Sequence, residues 1–133
     1  MAKKKVVHTL DSFTIKRSAG RGKGLFARAG IKKSETIGSY TGEPLRDWHA
    51  SREPHVSSLY LMYICKNHWI DAAGSKANYT RYINHSSKPN SELIISTRWK
   101  TVRIQSLRPI RSGEEIFYSY GHEYWDALEV DPL

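Results

Sequence analysis

Aromatic residues near the end of the sequence are the residue types most suited to chemistry. The segment Ile116-Phe-Tyr-Ser-Tyr-Gly121 places Tyr118 and Tyr120 two positions apart, and Tyr124 and Trp125 follow. Because alternate residues of a strand point to one side, Tyr118 and Tyr120 are expected to share a face. That face could pack into the core. It could also wall a slot whose rings hold an alkyl chain and whose hydroxyls hold a terminal nitrogen.

A second candidate is the polar segment Arg81-Tyr-Ile-Asn-His-Ser-Ser-Lys-Pro-Asn90. The neighbouring Asn84 and His85 offer donors and acceptors that can satisfy buried backbone or grip a polar ligand. No histidine has the H-E-x-x-H spacing, and the single cysteine, Cys65, cannot form a cysteine cluster. The sequence therefore predicts neither a metal site nor an internal disulfide.

A third candidate is the glycine-rich segment Gly20-Arg-Gly-Lys-Gly-Leu-Phe-Ala27. Glycine permits positive φ and lets a ligand approach the backbone closely. The spacing matches neither G-x-G-x-x-G nor the Walker A pattern, so a nucleotide site is not indicated. On its own, the pattern favours a glycine-rich turn that enters a strand.

Short β-prone segments bounded by turn residues must position these candidates, and they predict a mainly β fold. The predicted strands are Ser12–Arg17, Gly24–Ala27, Thr36–Tyr40, Ser58–Cys65, His68–Asp71, Glu92–Thr97, Thr101–Ser106 and Glu115–Ser119. Residues 93–104 are typical of a β-hairpin. Only Leu45–Glu53 and His122–Leu128 could form short helices. Residues 31–37 resemble residues 110–116, which we interpret as two similar turns and not as a repeat.

Length, hydropathy and charge limit the class of protein. A chain of 133 residues predicts one domain. No apolar run approaches the roughly 18 residues of a membrane helix, and no signal-like segment follows the first residues. These two observations predict a soluble intracellular protein of the cytoplasm or the nucleus, with no membrane partner. The net charge of +8 divides into +14 for residues 1–112 and −6 for the remainder. A basic body suggests nucleic acid, although most charge runs are solvated faces.

Five blocks, in this order, resemble the SET domain, the fold of protein-lysine methyltransferases that use S-adenosylmethionine. The blocks are Gly22-Lys-Gly-Leu-Phe-Ala27, Tyr40-Thr-Gly-Glu43, Ile70-Asp-Ala72, Asn78-Tyr-Thr-Arg-Tyr-Ile-Asn-His-Ser86 with Pro89-Asn90, and Gly113-Glu-Glu-Ile116 leading into Tyr118-Ser-Tyr-Gly121. The resemblance spans about residues 12 to 125. The chain is similar to minimal viral and bacterial members, which lack the cysteine-rich pre-SET and post-SET zinc modules.

The resemblance implies several small sheets, few short helices and a C-terminal pseudoknot. It divides the chain into a basic N-terminal arm (1–11), a SET catalytic domain (12–125) and an acidic tail (126–133). It implies that S-adenosylmethionine, which leaves as S-adenosylhomocysteine, is bound without a metal by Gly22, Lys23, Gly24, Tyr82, Asn84, His85 and Trp125. It implies a channel for the substrate lysine formed by Tyr40, Tyr60, Tyr118, Tyr120 and Tyr124.

The resemblance also implies roles and partners. Tyr120 matches the family's essential catalytic tyrosine, and Tyr118 matches a position associated with the number of methyl groups added, which favours mono- or dimethylation. The expected substrate is a basic, histone-like protein, drawn to the acidic tail beside the channel. The similar viral members form homodimers, so a homodimer is expected, while the basic charge of residues 1–112 suggests a nucleic acid as a further partner. The alternative is a non-catalytic basic module that binds nucleic acid or protein on a SET scaffold.

Overall fold

The computed structural model of the chain describes residues 6–119, and strands dominate this range. The strands are β1 (Phe13–Ser18), β2 (Gly22–Ala27), β3 (Thr36–Ser39), β4 (Glu43–Leu45), β5 (Leu61–Cys65), β6 (His68–Asp71), β7 (Asn84–His85), β8 (Ser91–Ser96), β9 (Thr101–Ser106) and β10 (Phe117–Ser119). The helices are α1 (Asp47–Ala50) and the 3-10 turns Leu10–Ser12 and Tyr79–Tyr82. The predicted mainly β class is confirmed.

The strands form three small sheets. One sheet pairs β1 with β2, a second has the order β4-β6-β5, and a third has the order β3-β9-β8-β10-β7. Within the third sheet, β10 runs parallel to both β7 and β8, and the loop of residues 86–90 joins those two neighbours. A strand close to the end of the described range is therefore inserted between two strands that precede it in the chain.

A single core joins the three sheets. Leu25 of β2, Ile37 of β3, Met62 of β5 and Ile104 of β9 are fully buried, and so is Ile116, which precedes β10. All five belong to one hydrophobic cluster. Burial of side chains of this size stabilises the fold by roughly 1.5–3 kcal/mol each, so the relative positions of the sheets are fixed by a common interior.

The strand predictions succeed where the pattern alternates and fail near turns. His68–Asp71 and Thr101–Ser106 have the predicted bounds, and the hairpin between β8 and β9 is confirmed. The strand predicted from Ser58 begins only at Leu61. The Ser58 hydroxyl donates to Asp71 Oδ1 over 2.7 Å and accepts from the backbone N–H of Tyr60 over 3.2 Å. These bonds hold residues 58–60 in a turn.

Other predicted bounds were also wrong. The helix predicted over Leu45–Glu53 is reduced to α1, because Leu45 belongs to β4 and pairs with Trp69 of β6. The strand predicted from Glu115 begins at Phe117. Strands β4 and β7 were not predicted: the first contains a proline, which disfavours a strand assignment, and the second has only two residues.

The two similar turns predicted from the sequence are confirmed, and they lie side by side. Ile31 and Ile110 form an antiparallel bridge, with an N–O distance of 2.8 Å in each direction. In the first turn a carboxylate oxygen of Glu35 accepts from the N–H of Lys32 over 2.9 Å. In the second turn Glu114 accepts from the N–H of Arg111 over 3.0 Å. We call this pair, residues 28–35 and 107–114, the twin turns.

The twin turns also share a backbone conformation. Ser34 and the equivalent Gly113 both adopt positive φ, 66° and 86°. Few residue types tolerate this region, and glycine does so without a steric penalty. The similar sequences therefore encode the same turn twice, and the bridge between the isoleucines brings the two copies together.

The ion pair in the second turn predicts a pH dependence of stability. Arg108 donates to the carboxylate of Glu114 over 2.5 Å, and this bond is the main reason that the pKa of Glu114 falls to about 2. We expect Glu114→Gln to lower the free energy of unfolding by about 1 kcal/mol at pH 7, a value discounted for solvent screening. The contribution is present above the ordinary glutamate pKa, 4.5, and is lost as pH falls through about 2.

Urea unfolding of both proteins at pH 7 and pH 3 measures this difference. By pH 3 it should have fallen by more than half. Glu92→Gln in β8 is the control for loss of a carboxylate elsewhere. A difference between Glu114→Gln and the unmodified chain that is equally large at both pH values would contradict the assignment.

Candidate active site

A cavity of about 410 Å³ brings together the candidate segments of the sequence. It lies where the turn before β2, the 3-10 turn Tyr79–Tyr82, β7 and β10 meet. Eight predicted site residues line it: Gly22, Lys23, Tyr40, Tyr60, Tyr82, Asn84, His85 and Tyr118. Four lining residues were not predicted: Arg21, Leu59, Arg81 and Ile83. Segments up to about a hundred positions apart in sequence thus meet at one site.

Tyrosines form one wall of the cavity. Tyr40 and Tyr118 are each only 4% exposed. The hydroxyl of Tyr40 donates to the backbone oxygen of Tyr60 over 2.7 Å, which fixes its ring. Tyr118 lies beside His85 in the parallel pairing of β10 with β7. The wall is therefore rigid and combines apolar ring faces with hydroxyl groups.

Arg81 lies between two of the lining tyrosines. Its guanidinium carbon is 5.0 Å from the ring centre of Tyr60 and 4.9 Å from that of Tyr82, both within cation–π range. It also donates to the Tyr82 hydroxyl over 3.0 Å and to the backbone oxygens of Ala72 and Ala73 over 3.3 Å each. The sequence does not indicate a role for Arg81, because these partners are brought to it by the fold.

Asn84 is held by two acceptors. Its Nδ2 donates to the backbone oxygen of Lys23 over 3.0 Å and to Glu115 Oε2 over 2.9 Å. Both amide hydrogens are therefore used within the protein, and the amide oxygen is the atom that remains for a ligand. The side chain presents an acceptor to the cavity.

Glu115 connects this asparagine to the first sheet. Its Oε1 accepts from the Ser18 hydroxyl over 2.7 Å, while its Oε2 accepts from Asn84. A Cβ added to Gly24 would lie 2.4 Å from Oε2. The predicted site residue Gly24 thus contacts the Glu115 side chain and does not belong to the cavity lining. Glu115 was not predicted as a site residue from the sequence. Both Gly24 and Glu115 nevertheless belong to segments that resemble the SET domain.

Positive charge dominates the described lining. Arg21, Lys23 and Arg81 line the cavity, and no aspartate or glutamate does so within residues 6–119. The guanidinium of Arg21 lies 5.1 Å from the ring centre of Phe117, which orients it. Burial lowers the pKa of His85 below its usual 6.5, so its imidazole is neutral at pH 7. The arrangement favours a ligand that has an anionic group at this end of the cavity.

Several predicted features lie outside residues 6–119. These are Tyr120, Tyr124, Trp125, the helix His122–Leu128 and the acidic tail 126–133, together with residues 1–5 of the basic N-terminal arm. The pseudoknot also depends on the path of the chain after Ser119. All of them stay predictions.

The described part of the chain contains neither a candidate metal cluster nor a candidate membrane helix. Within residues 6–119, no group of three His, Cys, Asp or Glu side chains is placed to hold a metal ion. In the same range no helix is both long enough and apolar enough to cross a membrane.

Comparison with known families and proteins identifies the family to which the chain belongs. The SET domain family matches residues 22–121. The chain therefore belongs to the SET-domain family, and the resemblance noted from the sequence is confirmed. SET methyltransferases use S-adenosylmethionine, which agrees in general with a cavity between a glycine-rich turn and the Asn84–His85 segment.

The chain is similar to single domains of much longer proteins. It is 34% identical over 125 residues to a variant-silencing SET domain-containing protein of Plasmodium falciparum (isolate 3D7), in a match that covers 83% of this chain and 5% of the relative. It is 31% identical over 120 residues to an H3 lysine-36 specific histone-lysine N-methyltransferase of Homo sapiens, covering 82% and 4%. It is 33% identical over 129 residues to the histone-lysine N-methyltransferase MEDEA of Arabidopsis thaliana, covering 91% and 19%. The chain thus spans less than a fifth of each relative.

Proposed function

We propose that this protein is an S-adenosylmethionine-dependent protein-lysine N-methyltransferase. The observation that carries the proposal is the cavity itself. In a chain of the SET family, it joins the backbone of Gly22 and Lys23 and the Asn84–His85 segment to a wall of tyrosines. One part is suited to a polar, partly anionic cofactor, and the other is suited to an extended aliphatic side chain.

The residues present fit the cofactor. Gly22 adopts a φ of 76°, and a Cβ built there meets nothing within 4 Å, so the backbone is open to a ligand. Lys23 and Arg21 supply positive charge for a carboxylate, and the amide oxygen of Asn84 supplies an acceptor for an α-ammonium group. Bound there, S-adenosylmethionine would supply a methyl group on a positively charged sulfur. Tyr82 lies beside this end, and Trp125 is proposed to stack on the adenine.

The tyrosine wall fits the side chain of a lysine. A lysine amine must be neutral to accept a methyl group, yet its ordinary pKa is about 10.4. Rings that exclude water disfavour the charged form and so lower this pKa. The Tyr40 ring, fixed by the bond of its hydroxyl to the Tyr60 carbonyl, belongs to the wall that would orient the amine and its lone pair. Orientation of this kind can supply several kcal/mol of barrier reduction. Tyr120 and Tyr124 are proposed to complete the channel, with Tyr120 as the catalytic residue.

The proposed substrate is a lysine in a basic, histone-like protein tail. The support is the names of two relatives, one from Homo sapiens and one from Arabidopsis thaliana, which are both histone-lysine N-methyltransferases. Those names belong to proteins many times longer than the matched domain, so substrate choice is a proposal for this chain. The preference for mono- or dimethylation, and a homodimer, are proposed on the resemblance alone.

The contacts of Glu115 predict an effect on cofactor binding. We expect Glu115→Ala to weaken the binding of S-adenosylhomocysteine at least tenfold, because Asn84 would lose a charged acceptor worth about 1.5–3 kcal/mol. Glu115→Gln retains an acceptor oxygen and should bind nearly normally. Glu114→Gln, one residue away and without a bond to Asn84, is the matched control. Isothermal calorimetry measures all four proteins, and equal affinity for Glu115→Ala and the unmodified chain would contradict the role.

Removal of one hydroxyl tests the catalytic assignment. We expect the unmodified chain to transfer a labelled methyl group to a histone mixture, and Tyr120→Phe to lose at least a hundredfold in rate with unchanged thermal unfolding. Mass spectrometry of the product identifies the labelled lysine. Tyr63→Phe in β5, away from the cavity lining, is the control. Full activity of Tyr120→Phe would remove Tyr120 from the mechanism, and absence of transfer by the unmodified chain to any histone would count against the substrate.

The number of methyl groups is tested at Tyr118. A hydroxyl at this buried position occupies space that a methylated nitrogen needs. We therefore expect the unmodified chain to add one or two methyl groups to a histone peptide and Tyr118→Phe to shift the products toward trimethylation. The product distribution after long incubation is read by mass spectrometry. Predominant trimethylation by the unmodified protein would refute this role.

A further inference from the structure

The twin turns form a basic surface away from the cavity. The bridge between Ile31 and Ile110, and a bond of 2.7 Å from the Ser112 hydroxyl to the backbone oxygen of Arg28, bring both segments to one edge of the molecule. Five exposed basic residues lie on these segments: Arg28, Lys32, Lys33, Arg108 and Arg111. We propose that this surface docks duplex DNA through its phosphate groups.

The two acidic residues of the twin turns offset this charge only in part, because five basic and two acidic residues leave a net charge of +3. Glu35 is half-buried, and its carboxylate is held by the N–H of Lys32 and by His8 Nε2, each over 2.9 Å. Glu114 is engaged by Arg108 and by the N–H of Arg111. Each carboxylate thus accepts a hydrogen bond from the backbone of its own turn and stabilises that turn. Within residues 6–119, Arg108 is the one basic residue of this surface that forms an ion pair with a carboxylate.

Four cations therefore remain for a ligand. Within residues 6–119, no ion pair involves Arg28, Lys32, Lys33 or Arg111. The second turn borders an open hollow of about 670 Å³ lined by Arg108, Pro109, Arg111, Ser112 and Glu114. Exposed lysines and arginines on a rigid backbone beside a hollow are suited to a polyanion, because each phosphate contact releases counterions.

The composition of the surface favours a duplex over a single strand. Residues 28–35 and 107–114 contain no Phe, Tyr or Trp. Proteins that bind single strands stack bases on aromatic rings, whereas contacts to duplex phosphates need only basic and polar groups and carry no sequence information. The ligand that fits is the backbone of a DNA duplex of any sequence.

The position of the surface leaves the cavity accessible. Strand β2 begins at Gly22, which lines the cavity, and ends at Ala27, next to Arg28. At roughly 3.3 Å per residue the strand separates the two sites by about 17 Å. A duplex docked on the twin turns could therefore hold the protein close to a DNA-bound basic protein while the cavity stays open. The docking itself does not require methyl transfer.

Fluorescence anisotropy with a labelled 20-base-pair duplex tests the proposal. We expect the unmodified chain to bind, and Lys33→Glu/Arg111→Glu to weaken binding at least tenfold. The plot of log affinity against log salt should become shallower by about 1.8, or roughly 0.9 for each lost phosphate contact. Lys66→Glu/Lys76→Glu is the matched control, since it makes the same change in net charge at two exposed lysines elsewhere. It should weaken binding less than threefold.

Three results would overturn the proposal: no duplex binding by the unmodified chain, equal weakening by the two double variants, or equal affinity for a single-stranded 20-mer. Thermal unfolding verifies that each variant is folded. If Lys33→Glu/Arg111→Glu does not fold, Lys33→Gln/Arg111→Gln takes its place, with Lys66→Gln/Lys76→Gln as control. Methylation of a free histone peptide, measured in parallel, should be unchanged in both variants. Loss of DNA binding with methylation intact separates this surface from the proposed function.

Discussion

The carboxylate of Glu115 is the interaction on which the geometry of the site depends. It accepts hydrogen bonds from Ser18 and Asn84, which lie 97 and 31 positions away in sequence. Bonds to a charged acceptor are worth more than neutral ones, about 1.5–3 kcal/mol each. A side chain at position 24 would displace this carboxylate, so glycine at that position keeps its two hydrogen bonds intact. One acidic group thus sets the distance between β2 and β7, and with it the width of the cavity at this end.

A second side chain holds β10 in its unusual place. Asn90 is 2% exposed, and its amide donates to the backbone oxygen of Glu115 over 2.7 Å and accepts from the N–H of Phe117 over 2.8 Å. The buried amide thus forms the two backbone hydrogen bonds, one as donor and one as acceptor, that a neighbouring strand would otherwise form. It guides the chain into the gap between β7 and β8, and that path places Tyr118 on the cavity. Asn84 in β7 and Asn90 in the loop after β7 therefore both bond to the segment of residues 115–117.

The elements that were predicted correctly depend on residues close together in sequence, and those that were missed depend on residues far apart in sequence. Alternating patterns of six residues are local, so β1, β8 and β9 were placed within one residue. The segment Asn84–His85 is a strand only because β10 lies beside it, and no local pattern indicates that pairing. Arg81 escaped prediction for the same reason, since its ring and carbonyl partners are set by the fold. The family resemblance named the eight predicted residues that line the cavity. Composition and spacing alone did not bring these residues together.

The charge of the cavity and the charge of a basic substrate oppose each other, and Arg81 resolves this conflict. It lies between Tyr60, on the proposed lysine side, and Tyr82, on the proposed cofactor side. A fixed cation at this boundary disfavours an incoming ammonium group and lowers the pKa of the lysine, as burial between the rings also does. Repulsion therefore acts on the protonated amine and not on the neutral form that reacts. In the proposed complex the same positive charge would also attract the carboxylate of the cofactor, so a single arginine would act at both ends of the proposed reaction.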